Sequence, residues 1–146
     1  FALYPAAHLT HPERLDTVMG CVSDKFRSGV VIPHWCMKLF INAYTTPGTD
    51  MNDPRLSPMF YDASKFPKYV AVACGDADTL YRMSFDLMKK ISGSASGTNV
   101  DGSRKFICVL NEAHEFNTFG RTRASQEERD RVEGEAINMI RASWRQ

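Results

Sequence analysis

Two residues, Asp78 and His114, have types and positions suited to chemistry. Asp78 follows the apolar run KYVAVAC at residues 68–74, and His114 follows KFICVL at residues 105–110. Each lies four positions beyond the end of a run that reads as a buried strand. If those strands are parallel neighbours, both residues belong to the carboxyl edge of one sheet, where open parallel sheets bind ligands. Adjacent strands are about 4.8 Å apart, so a carboxylate and an imidazole placed there come within hydrogen-bond reach. An Asp–His pair is the base-and-orienter half of a nucleophilic triad. The carboxylate fixes the tautomer and stabilises the imidazolium, and the imidazole shuttles the proton. Each residue also has an ordinary competing role. Asp78 precedes a helical pattern and would serve as its N-cap, and a lone histidine in a turn is more often not a catalyst. Their matched positions favour the pair.

The nucleophile is not apparent. The sequence contains no G-x-S-x-G elbow. Ser84 and Ser92 fall on or just after a helical pattern, and Ser57 falls in a proline-rich loop. Cys74 and Cys108 lie inside the strand runs, where a thiol is a small apolar group rather than a nucleophile. In the chain order Ser, Asp, His, the missing serine would precede residue 1.

The elements that must position the pair are clearest after residue 67. The continuous apolar run at 68–74 fits a strand covered on both faces. Leu80, Met83, Leu87, Met88 and Ile91 recur at helical spacing, which predicts an amphipathic helix over 79–91. SGSASGTNVDGS at 92–103 has the composition of a flexible linker. The strand at 105–110 follows. Then a helix over 125–144 opens on the capping box Ser125–Glu128, with Val132, Ala136, Met139, Ile140 and Trp144 on its inner face. Strand, helix, strand, helix is a βαβα unit of an α/β fold. FALYP at residues 1–5 reads as a further buried strand, and so few parallel strands look like one edge of a larger sheet. Thr10–Glu13 is a possible capping box for a helix to about Met19. Pro33 marks the start of another helix, with Trp35, Leu39 and Phe40 on one side. The stretch 45–58, with three prolines and a glycine, is loop.

The 146 residues make one domain, and the +1 net charge gives no electrostatic reason to expect nucleic acid or an anionic membrane as partner. No apolar stretch approaches the roughly 20 residues of a membrane span. The four cysteines form no C-x-x-C pair, which disfavours a zinc or redox site. Unpaired thiols in a reducing compartment are the simpler reading, which slightly favours the cytoplasm, and disulfide pairing stays open.

DPRLSP at 53–58, GDADTL at 75–80 and HEFNTF at 114–119 together resemble three signatures of hormone-sensitive-lipase-like esterases in the α/β-hydrolase superfamily. Those signatures are a DPxxSP segment, a G-x-x-D-P-L turn bearing the triad acid and an H-G-F turn bearing the triad base. The resemblance covers nearly the whole chain and is strongest across 53–119. It implies that residues 1–146 are the C-terminal part of an α/β-hydrolase fold, a mostly parallel sheet with flanking helices plus part of a helical cap at about 10–50. Asp78 would be the acid and His114 the base, with Asp76 the weaker candidate. FALYP would be the strand after the nucleophile helix. A separate N-terminal chain would supply the serine and the oxyanion hole, the substrate would be a small-molecule ester, and no cofactor or metal is implied. Trp35 and Phe40 would be substrate contacts in the cap, or the ordinary packing of a cap helix. Two departures stand out. Thr79 replaces the usual proline, which is harmless at a helix start. Glu115 replaces the usual glycine and puts a carboxylate beside the base. The alternative is a non-catalytic, receptor-like ligand-binding member of the same fold, against which the retained Asp78 and His114 both speak.

Overall fold

The structure, a computed structural model, describes residues 1–9, 34–119 and 123–145. The expected capping box at Thr10–Glu13 lies outside them. At the centre is a three-stranded, wholly parallel sheet of order β1-β2-β3, with β1 at Ala2–Leu3, β2 at Val70–Gly75 and β3 at Arg104–Val109. Helix α1 spans His34–Tyr44, α2 Tyr81–Ser92, α3 Phe116–Phe119 and α4 Arg123–Trp144. This is an α/β arrangement in which β2 is the middle strand.

The alternation of β2 explains why its sequence is apolar throughout. Ala71 and Ala73 pack with Ile107, Val109 and Phe116 against Val132 and Met139 of α4. Val72 turns the other way, toward Leu87, Met88 and Ile91 of α2. Each face of the strand is therefore dry, and period-two burial on two sides produces an unbroken hydrophobic run. Full burial of a side chain such as Met88 contributes roughly 1.5–3 kcal/mol before entropy is charged against it.

The expected helix over 79–91 appears as α2, and it ends as its sequence dictates. Gly93 adopts φ 69° and donates its N–H to the Lys89 carbonyl, a left-handed cap that costs glycine little. Arg104 from β3 reaches over the same end and donates to the Ile91 carbonyl at 2.6 Å and to that of Phe66 at 3.2 Å.

The segment 92–103, expected as a flexible linker, is instead a hydrogen-bonded turn. Asn99 N–H donates to the Arg104 carbonyl, Arg104 N–H returns to Asn99 Oδ1, and Ser103 N–H is held by Asp101 Oδ1. Gly97 is buried with φ 74° against the Phe85 ring and the Phe106 Cβ. Small polar side chains that satisfy a tight turn have the same composition as a solvated linker, and only their pairing separates the two.

The last helix also departs from expectation. It begins at Arg123, so Ser125 lies inside it rather than capping it. Val132 and Met139 are buried as expected, but Ile140 and Trp144 are exposed. The residues that pack are a seven-residue step apart, a narrower stripe than the periodicity implied.

The loop at 45–58 is irregular as expected, and its DPRLSP part anchors the chain entering from β1. Ser57 is fully buried, accepts from Leu9 N–H and donates to the Met51 carbonyl, while Met59 N–H donates to the Ala7 carbonyl. Helix α1 forms where Pro33 placed it. Its Trp35, Leu39, Phe40 and Tyr44 are exposed. No described helix is long and apolar enough to cross a membrane.

The two turns at the carboxyl edge touch through backbone. A Cβ built on Gly75 would lie 2.0 Å from the Glu112 carbonyl oxygen, nearer than any real Cβ contact. Replacing Gly75 with Ala should therefore push the 110–114 turn off the end of β2 and cost more than about 2 kcal/mol in urea unfolding. A near-wild-type unfolding midpoint for G75A would contradict this packing.

Candidate active site

Three strands deliver three aromatic or ionisable side chains to one edge. Tyr4 follows β1, Asp78 follows β2 and His114 follows β3. The turn carrying His114 is laid across the end of β2 by main-chain hydrogen bonds. Asp76 N–H donates to the Val109 carbonyl, and Ala77 N–H to that of Glu112, both at 3.0 Å. The Asp76 carboxylate accepts from Asn111 N–H at 2.7 Å. Asp76 thus ties the turns together, a role that composition alone did not reveal.

Asp78 is buried, at 1% exposure, and both of its carboxylate oxygens are engaged. Oδ1 accepts from Leu80 N–H at 2.8 Å, which braces the turn leading into α2. Oδ2 lies 2.9 Å from His114 Nδ1. Asp78 is not the helix cap, a position that belongs to Leu80, and its two oxygens serve the turn and the His114 ring. A carboxylate can only accept, so Nδ1 carries the proton, and the neutral ring presents Nε2 as its basic nitrogen. That is the tautomer a general base requires.

The His114 imidazole is half-buried. Its pKa is raised, first by the hydrogen bond to Asp78, with the charges of Asp78 and Glu115 adding to it and desolvation opposing. Glu115 therefore acts on the imidazole as a neighbouring carboxylate does. It also adopts φ 61°, and its carbonyl accepts from Thr118 N–H. This left-handed conformation is one that glycine adopts freely, which gives a physical reason why glycine would suit the position.

Strain gathers at this edge. Tyr4, Asn111 and Glu115, with φ of 34°, 60° and 61°, are the described non-glycine residues of positive φ. Asparagine tolerates the region, but a side chain such as tyrosine or glutamate is strained there by about 1–2 kcal/mol. All three residues belong to the segments that hold His114. Tyr4 was read only as part of a strand. Its position at the end of a third parallel strand is the one signal that could have placed it here.

Phe116 is buried beneath the turn, as its apolar character implied, and forms an edge-to-face contact with Tyr4. Phe119 falls within α3. Trp35 and Phe40 sit elsewhere, on α1. Phe40 lines an open apolar cavity of about 410 Å³ with Leu9, Ile41, Ala43, Tyr44 and Thr45, which neither Asp78 nor His114 lines.

The serines considered as nucleophiles have structural partners. Ser57 is bound as described, Ser84 is buried and donates to the Pro5 carbonyl, and Ser92 Oγ accepts from Ser94 N–H. Cys36, Cys74 and Cys108 are free thiols. Burial pushes the Cys74 thiol far up, with the Asp78 charge adding to it, and burial also raises Cys108. Both are therefore inert at neutral pH. Among the described residues, no group of three or more His, Cys, Asp or Glu is arranged to hold a metal ion.

Comparison of the chain with family models, curated proteins and solved structures finds no match.

The hydrogen bond fixes a sign for pH dependence. Because the folded pKa of His114 lies above the ordinary imidazole value of about 6.5, its contribution to stability is complete below that value. The contribution is lost as pH rises through the raised pKa. Imidazole NMR titration should give a midpoint above about 6.5 in the wild type and a lower one in D78N. Equal midpoints would mean that the two side chains are not coupled.

Proposed function

We propose that this chain is the C-terminal part of a serine carboxylic-ester hydrolase of the α/β-hydrolase type, contributing the triad acid and base. The observation that carries the reading is the 2.9 Å contact between His114 Nδ1 and the buried Asp78 carboxylate, at the carboxyl edge of a parallel sheet. The nucleophilic serine and the oxyanion donors come from outside these 146 residues. Two features support that placement. The described serines considered above are engaged in structural hydrogen bonds, and β1 has β2 on one side only within the described sheet.

In this reaction His114 Nε2 takes the proton of the serine hydroxyl as its oxygen attacks the ester carbonyl. The resulting imidazolium is stabilised by Asp78, which stays ionised and holds the ring in place. His114 then returns the proton to the departing alkoxide, and a second pass with water releases the acid. The raised pKa shifts this cycle toward alkaline pH, because the base must be neutral to accept a proton.

On the assembled enzyme, H114A should lower kcat for a small ester by about 10⁴-fold or more while leaving assembly intact. The wild-type profile of kcat/KM should rise with pH through an inflection above about 6.5. Retained turnover in H114A would mean that the base is another residue.

A further inference from the structure

The reading of His114 as a proton shuttle leaves one neighbour without a role. Tyr4 touches the imidazole and is tied to the elements on either side of it. Its ring lies 4.4 Å from that of His114, centroid to centroid, at a tilt of 57°. Its hydroxyl donates to Asn117 Oδ1 at 2.7 Å, and its main-chain N–H donates to the Ala73 carbonyl at 2.7 Å. The last bond ties the residue to β2, and the first two tie it to the His114 ring and to the turn that follows. Tyr4 holds this place with φ 34°, a conformation that persists for a bulky residue only where its surroundings over-determine it.

The two constraints on His114 are complementary. Asp78 grips one ring nitrogen, which sets where the edge of the ring points. Tyr4 packs on the ring itself, which opposes its rotation about the bond to Cβ. A rotation of half a turn would take Nδ1 away from Asp78, and the carboxylate alone resists it by one hydrogen bond. Asn117 fixes the far end of Tyr4 from within α3, the short helix two residues beyond His114.

We propose that Tyr4 is a positioning residue for the base, clamping the His114 imidazole in its Asp78-bonded orientation with Asn117 as its anchor. The assignment rests on the reading of His114 as the proton shuttle. It makes the end of β1 a working part of the site rather than a strand that merely extends the sheet. Tyr4 itself transfers no proton.

The test is ¹⁵N-histidine NMR of the purified protein, reading exchange of the His114 Nδ1–H with solvent alongside the unfolding midpoint. Tyr4→Leu should speed exchange at least about tenfold, and Tyr4→Phe and Asn117→Ala about threefold to tenfold. The latter two keep the test alive if Y4L does not fold. A lowered unfolding midpoint with unchanged exchange in Y4F and N117A would overturn the proposal, since a purely structural tyrosine would behave that way. Asp78→Ala, which removes the acceptor, separates the two readings. Loss of the protected proton in D78A, with wild-type exchange in all Tyr4 and Asn117 variants, would reject the clamp and leave the pair standing. Persistence of the protected proton in D78A would reject the pair itself, and the clamp with it.

Discussion

Everything at the carboxyl edge depends on the approach of one turn to the end of the middle strand. The Glu112 carbonyl occupies the space where a side chain at position 75 would begin, and only glycine leaves that space open. The approach lets Asp76 and Ala77 donate to the carbonyls of Val109 and Glu112, and lets Asn111 donate to the Asp76 carboxylate. Two turns that would otherwise be independent loops become one rigid ledge. Asp78 and His114 ride on that ledge, 36 positions apart in sequence. A hydrogen bond between side chains on separate mobile loops would lose to the entropy of ordering them. Here the main chain has already met that cost.

The ledge also sets the electrostatics. Asp78 is taken out of water, yet its two oxygens each find a donor, the Leu80 N–H and the His114 ring. A buried carboxylate satisfied in this way faces the imidazole through a hydrogen bond, and the imidazole is biased toward holding its proton. Glu115 strengthens the bias from an exposed position, in a backbone conformation that glutamate occupies at some cost. Of the three strained residues, Tyr4 packs against the cluster that holds Val109 and Phe116 between the sheet and α4.

How much of this was legible in the sequence differs from residue to residue. The apolar run before Asp78 and the one before His114 were each placed within two residues, because a doubly covered strand shows as a continuous hydrophobic stretch. Their common edge followed from parallel topology, and with it the pairing of Asp78 and His114. Tyr4 was hidden, since FALYP states only that its residues are apolar, and the register that brings Tyr4 beside His114 is a property of strand pairing. Segment 92–103 was misread because the serines and glycines of a tight turn are also those of a linker. Ile140 and Trp144 matched helical spacing yet face outward, because spacing gives the width of a stripe only when a partner covers all of it. Asp76 could not be assigned because its partner is a main-chain N–H on the neighbouring turn.

The proposed function requires that the Asp78–His114 pair serve a serine outside these 146 residues. The most direct measurement treats the native assembly with a fluorophosphonate and locates the adduct by peptide mass spectrometry, before and after His114→Ala. A single adduct on a serine outside these 146 residues, lost in H114A, is the expected result. An adduct on one of these 146 residues, or no adduct on an assembly shown to be intact, would contradict it.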